Sequence, residues 1–294
     1  MEKAITTSEN KPAKTKVDVF QKRIHEIDFA RGALIIIVIL DHLFWNLKYY
    51  GGIWWGESSW VFKAFNFYWT STARAIIQPL ALMAFCFISG ISCSFSKNNK
   101  KRGLIAIIFW LIIFFASNMI QLGINAAKVD MIIRIDLNII GVLALSIGAY
   151  CLVEKRSWRI LLACIIGGFL ISQYLSPFLR NGLVNACGGY TNTRTGANYG
   201  VNGTPKFYMP LFWEYPEQAD FVPLFPYIVV FFIGALFSYF VYKDKKESLF
   251  PNRKEWERPV CFLGRHTLII YLAHFIVMRG IFMIINLIVK GNIA

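Results

Sequence analysis

Glu26 to Asn46 reads EIDFARGALIIIVILDHLFWN, and this stretch decides how the chain is to be read. It is apolar and long enough to cross about 30 Å of hydrocarbon as a helix. Yet it carries Asp28 and Arg31 at one end and the pair Asp41-His42 deep along it. Ionisable groups inside a membrane span are costly, and they usually face a cavity or a partner rather than lipid. The segment therefore reads as a spanning helix with one polar face turned inward.

The rest of the chain supports a membrane reading. Of 294 residues, 56% are hydrophobic and 26 are Phe. A water-soluble domain of this length carries more charge and shorter apolar runs. Seven spans are predicted: Ile27–Leu47, Ala75–Ser96, Gly103–Leu122, Leu137–Val153, Trp158–Ser176, Phe221–Tyr242 and Cys261–Ile288. The expected fold class is all-α, a polytopic transmembrane bundle with a cytoplasmic N-terminus. Residues 1–22 form a basic, disordered tail with no apolar signal segment, so the first span is itself the targeting element. Residues 23–290 form a single transmembrane domain, with outer loops at 48–74 and 177–220.

Charge asymmetry sets the orientation. Residues 1–26 hold six Lys/Arg, 97–103 hold four, 154–159 three and 243–265 seven. The opposite connections, 48–74, 123–136 and 177–220, hold three, two and three. The positive-inside rule puts the first set in the cytoplasm. This accounts for most of the +14 net charge, and no nucleic-acid partner is needed to explain it.

Trp54, Trp55, Trp60 and Trp69 in the first outer loop read as an interfacial belt, with a substrate platform as the alternative. The second outer loop is too long for a simple turn. Its Trp213, Tyr215 and prolines favour an ordered lid over the outer face. The six cysteines show neither a disulfide framework nor zinc-ligand spacing, and all but Cys187 read as small packing residues. No metal site is expected.

On the opening helix, Arg31 and His42 are eleven residues apart, close to three turns, so they share a face about 16 Å apart along the axis. That stripe passes through Ile35 and Val38. Asp28 lies one turn below Arg31 and can pair with it. A boundary ion pair, with Arg31 reaching to headgroups, is the structural alternative. Asp41 points about 100° away from His42, toward an outer polar cavity or a Lys or Arg elsewhere. The last span adds Arg265 and His266 at its cytoplasmic start. His274 follows near mid-membrane, with Tyr271 on nearly the same face, then Arg279. Ser89, Gly90 and Ser92 read as a close-packing motif, with a ligand contact as the alternative.

Acyl transfer across the membrane suits such a stripe. A neutral, desolvated imidazole can act as general base on a hydroxyl or amine. Arg31, Arg265 and Lys100, Lys101 and Arg102 of KNNKKR could hold the phosphates of an acyl-CoA at the cytoplasmic mouth. The thioester would then lie near His42, and the acceptor would come from the outer loops.

Five segments in order carry a resemblance to a known family: RIHEIDFARGALIIIVILDH (23–42), FCFISGISCSFSKNNKKR (85–102), DLNIIGVLALSIG (136–148), ADFVPLFPYIVVFFIGALF (219–237) and FLGRHTLIIYLAHF (262–275). Together they resemble the heparan-α-glucosaminide N-acetyltransferase-type catalytic domain, in its bacterial DUF1624 branch, over most of residues 23–280. The Arg-x10-His spacing is shared with the related acyltransferase-3 proteins. The resemblance implies a transmembrane acyltransferase of a bacterial or archaeal plasma membrane. It would take acetyl-CoA or another acyl-CoA as co-substrate from the cytoplasm and an extracytoplasmic glycan as acceptor. It implies a catalytic role for His42 and importance for Asp28, Arg31, Gly32, Asp220, Pro223, Pro226 and His274. In human-type enzymes the position matching His42 is Asn and a His lies further along. Here WNLKYYGGIWWG offers no second His, so the chemistry need not be identical.

Asp220, before the sixth span, is the expected orienter of His42, with Asp41, His274 and Tyr271 in support. Direct transfer and a covalent acyl-His intermediate both stay open. The competing functions are a proton- or solute-coupled transporter, though no inverted repeat is visible, and a non-catalytic subunit. A homodimer is compatible with the apolar spans.

Overall fold

The computed structural model describes residues 24–96, 98–126, 134–154, 156–175, 188–191, 198–201, 220, 222–242 and 254–290. The expected tail 1–22, Cys187, Trp213 and Tyr215 lie outside the described residues. The helices are α1 (His25–Trp55), α2 (Trp60–Thr70), α3 (Thr72–Phe95), α4 (Asn99–Ala126), α5 (Ile139–Val153), α6 (Trp158–Leu170), α7 (Leu224–Val241), α8 (Glu257–Arg265) and α9 (Thr267–Lys290). A π-turn at Ile171–Leu175 continues α6. The strands β1 (Gly188–Thr191) and β2 (Asn198–Val201) pair antiparallel, a short ribbon beside the helices of the described residues that the all-α expectation did not include.

Thr72–Phe95, Asn99–Gly123, Leu224–Val241 and Thr267–Lys290 are long and apolar enough to cross a membrane. α5 and Trp158–Tyr174 are shorter apolar helices. α5 is apolar all round because it is central. Val142 and Ala144 have no exposed surface, and Tyr150 lies against Phe231 of α7. A helix with apolar residues on every face is stable only when covered on every face.

The boundaries differ from the sequence reading in two places. The loop expected at 48–74 is mostly helical. α1 runs on to Trp55 and stops at Gly56, whose φ of 79° suits glycine. Ser59 then caps α2 by accepting from the Phe62 amide, and Ser71 caps α3 by accepting from the Arg74 amide. The last span breaks at His266 into α8 and α9 rather than running on from Cys261.

Glycines set the closest helix contacts. A β-carbon on Gly32 would collide with the Val260 carbonyl, and one on Gly264 with the Asp28 carbonyl, so α1 and α8 touch backbone to backbone. Gly90 and Gly234 do the same for α3 and α7. The packing reading of the FISGIS motif holds for Gly90.

Candidate active site

A cavity of about 420 Å³ opens between α1, α3, α4, α5, α8 and α9. The polar stripe of α1 forms one wall. Ile35 is fully buried beneath it, while Arg31, Val38, Asp41 and His42 line the cavity. The inward direction read from the Arg31–His42 spacing is the one observed.

One end is cationic. Arg31 of α1, Arg102 of α4 and Arg265 of α8 all line it. Arg102 and Arg265 are each placed by a local device. Asn99 donates to the Cys93 carbonyl at 2.8 Å and to Glu154 at 2.9 Å, which fixes the turn between α3 and α4. Arg102, in the first turn of α4, then donates to the Ser92 carbonyl at 3.2 Å. Arg265 donates to Asp28 at 3.3 Å, so the Asp28 carboxylate engages α8 rather than resting on the expected Arg31 pair alone. Asp28 braces the cavity without lining it. Lys100 and Lys101, expected beside Arg102, are exposed and outside the cavity wall. Ser89 lines the cavity, so its own motif splits between packing and lining roles.

Further along, His42 meets His274 edge to face, with 5.0 Å between ring centroids, and Phe275 at 6.2 Å. His274 is buried, and neither of its ring nitrogens makes a hydrogen bond of good geometry among the described residues. Tyr271 packs against His274 at 5.3 Å and donates its hydroxyl proton to Asp220 at 2.9 Å. Asp220 lines the cavity as expected, but its bonded partner is Tyr271 and not His42. The carboxylate is held by a half-buried phenol one turn from His274, and His274 in turn faces His42.

Asp41 is the residue that gains a role. Its carboxylate accepts from Arg74 Nε at 2.8 Å and from Arg74 Nη2 at 3.1 Å, and from the Tyr68 hydroxyl at 2.9 Å. The Arg74 guanidinium lies 3.4 Å from the centroid of the Trp69 ring. Arginine is the residue for such a site, since its planar fork pairs two oxygens and stacks on an indole at once. Burial, with the Asp41 carboxylate beside it, pushes the Tyr68 phenol up to about 12, so it keeps its proton and remains a donor. Tyr68 and Asp41 both line the cavity, so α2 contributes to its wall.

Sequence reasoning did not find Tyr68, Arg74 or Gln78. Arg74 lies 33 positions from Asp41, and no spacing rule links residues on different helices. The one usable signal was the unexplained Asp41, which needed a cation. Asn138, quoted but unassigned above, caps α5 by accepting from the Gly141 amide at 3.1 Å, and Val222 donates to the Leu137 carbonyl at 2.9 Å. These bonds set the α5 N-terminus beside the segment that carries Asp220.

The arrangement is a membrane-embedded pocket with a guanidinium end and an imidazole end. The chain belongs to the heparan-alpha-glucosaminide N-acetyltransferase catalytic family, whose model matches residues 23–276. It is in class a transmembrane acetyltransferase. No curated protein and no solved structure matches the chain.

Proposed function

We propose that the protein moves an acetyl or other short acyl group from cytoplasmic acyl-CoA to a sugar hydroxyl or amine on an extracytoplasmic glycan. The observation that carries this reading is a cavity with three arginines at one end and His42 at the other. Arg31 and His42 stand about 16 Å apart along α1. A pocket of this size falls within the ordinary ligand range of about 300–1,000 Å³. It suits a thin acyl-pantetheine arm, with the nucleotide phosphates outside at the arginines.

In the proposed step, His42 in its neutral form takes the proton from the acceptor hydroxyl or amine. The freed oxygen or nitrogen forms a bond to the thioester carbonyl carbon. The carbon–sulfur bond breaks, and CoA leaves as the thiolate, which takes the proton back from His42 and returns the imidazole to its neutral form. Proton transfer by a positioned base contributes about 10²- to 10⁴-fold. His274 sets the position of the His42 ring, and Asp220 holds Tyr271 against His274.

The topology belongs to the same reading. α1, α3 to α7 and α9 cross, which makes seven, with the α1 N-terminus in the cytoplasm. The Lys/Arg asymmetry supports it, and so does the cationic end of the cavity, which lies at that terminus. α2 and α8 do not cross. The protein then resides in a bacterial or archaeal plasma membrane.

The test is purified full-length protein in vesicles with radiolabelled acetyl-CoA outside the arginine end and glycan acceptors on the other side. CoA release with label on the acceptor supports the reading. Solute flux that needs no CoA, with no label transferred, favours a transporter and overturns it.

A further inference from the structure

The α2 helix has two faces with different jobs. Tyr68 and Trp69 face the cavity latch, where Tyr68 bonds Asp41 and Trp69 carries Arg74. Phe65 and Tyr68 pack against Phe44 of α1 at 5.3 and 4.9 Å. On the other side Trp60 and Phe67, seven positions apart and so on one face, are 77% and 78% exposed. Lys63 lies between them on that face and is exposed too. Large aromatic side chains left bare beside a lysine are the composition of a helix lying in a lipid interface.

The neighbours fix which partner covers that face. Exposed apolar side chains lie on either side in the chain, Trp55 at the end of α1 and Ile76 and Leu80 at the start of α3. α3 is long and apolar enough to cross a membrane, so its bare side is a lipid side. α2 ends at Thr70 and α3 begins at Thr72, so only Ser71 separates the two helices.

We infer that α2 is a membrane-surface helix, with its Trp60–Phe67 face set in the outer headgroup layer and its Tyr68 edge latched to Asp41. A helix of this kind buries its apolar face about 5–10 Å into the headgroup boundary. Asp41 precedes His42, so the latch fixes the depth of the outer end of the cavity relative to the bilayer surface. This inference rests on membrane integration and on the proposed topology, and it survives if the transferase chemistry fails.

The test uses full-length protein in phosphatidylcholine–phosphatidylglycerol vesicles. Phe67→Cys and, separately, Trp60→Cys carry a small environment-sensitive fluorophore, with Lys254→Cys as the water-exposed reference. Both test side chains are bare in the fold, so neither substitution removes packing. Blue-shifted emission is expected at both sites. Lipids with a shallow nitroxide should quench it more strongly than lipids with a deep one, and aqueous iodide should quench it weakly. Iodide quenching equal to that at Lys254→Cys overturns the inference. Protection from both iodide and nitroxide lipids also overturns it, because a protein partner or a second copy then covers the face.

Discussion

His42 and His274 stack edge to face on facing helices, their centroids 5.0 Å apart, with Tyr271 behind His274. The ring that faces the cavity is thus seated on a second ring that does not. Removing His274 leaves His42 in place but free to tilt. A displacement of 1 Å at a reacting group can cost about 10²-fold in rate. His274→Ala is therefore expected to lower acyl transfer by about that factor. Acetyl-CoA should still raise the melting temperature, which separates lost positioning from lost folding.

Arg31 and Arg265 line the same end of the cavity, and Arg265 also pairs with Asp28 on α1. A hydrogen bond to a charged group contributes about 1.5–3 kcal/mol, or roughly a tenfold to hundredfold change in affinity. Arg31→Ala should weaken acetyl-CoA binding by that amount, read as loss of the thermal shift. Arg265→Ala should weaken binding and also lower stability without ligand. Unchanged binding in both would remove the arginines from the donor site.

Asp41 and Arg74 are mostly buried, at 17% and 13% side-chain exposure. Removing one partner leaves the other charge unpaired at the membrane edge, which costs about 3–5 kcal/mol for a fully buried pair. Arg74→Ala should fall toward the lower end of that range in a denaturation series. Arg74→Lys keeps the charge but not the two-point contact, and should recover only part of the loss.

At the α1–α8 contact, Gly264→Ala puts a methyl group into the Asp28 carbonyl, and Gly32→Ala puts one into Val260. Backbone cannot yield as a flexible side chain does, and overpacking of this kind costs about 1–3 kcal/mol or more. Both variants should be less stable. Gly280→Ala, where nothing lies within 4 Å, should not be.

Much of this was legible in the sequence because it is periodic within one segment. Arg31, Val38 and His42 share a helical face, and a helix wheel places them together. Gly90 announced a close contact by being glycine in an apolar run. What could not be read depends on which helices meet. Asp28 reaches across to α8, Asp220 finds Tyr271 and Asp41 finds Arg74, and in each case the partner lies on another element. The breaks at Gly56 and His266 were hidden for a different reason. Both fall in short polar stretches, GESS at 56–59 and RHT at 265–267, and so few polar residues fit a break and a polar turn inside a helix equally well.

The central claim is that His42 is the base. Purified His42→Ala protein, given radiolabelled acetyl-CoA and a glycan acceptor, tests it most directly, with the acetyl-CoA thermal shift measured on the same sample. His42→Ala should show a shift like that of the unaltered protein, with transfer reduced by about 10²- to 10⁴-fold. Full transfer by His42→Ala would contradict it.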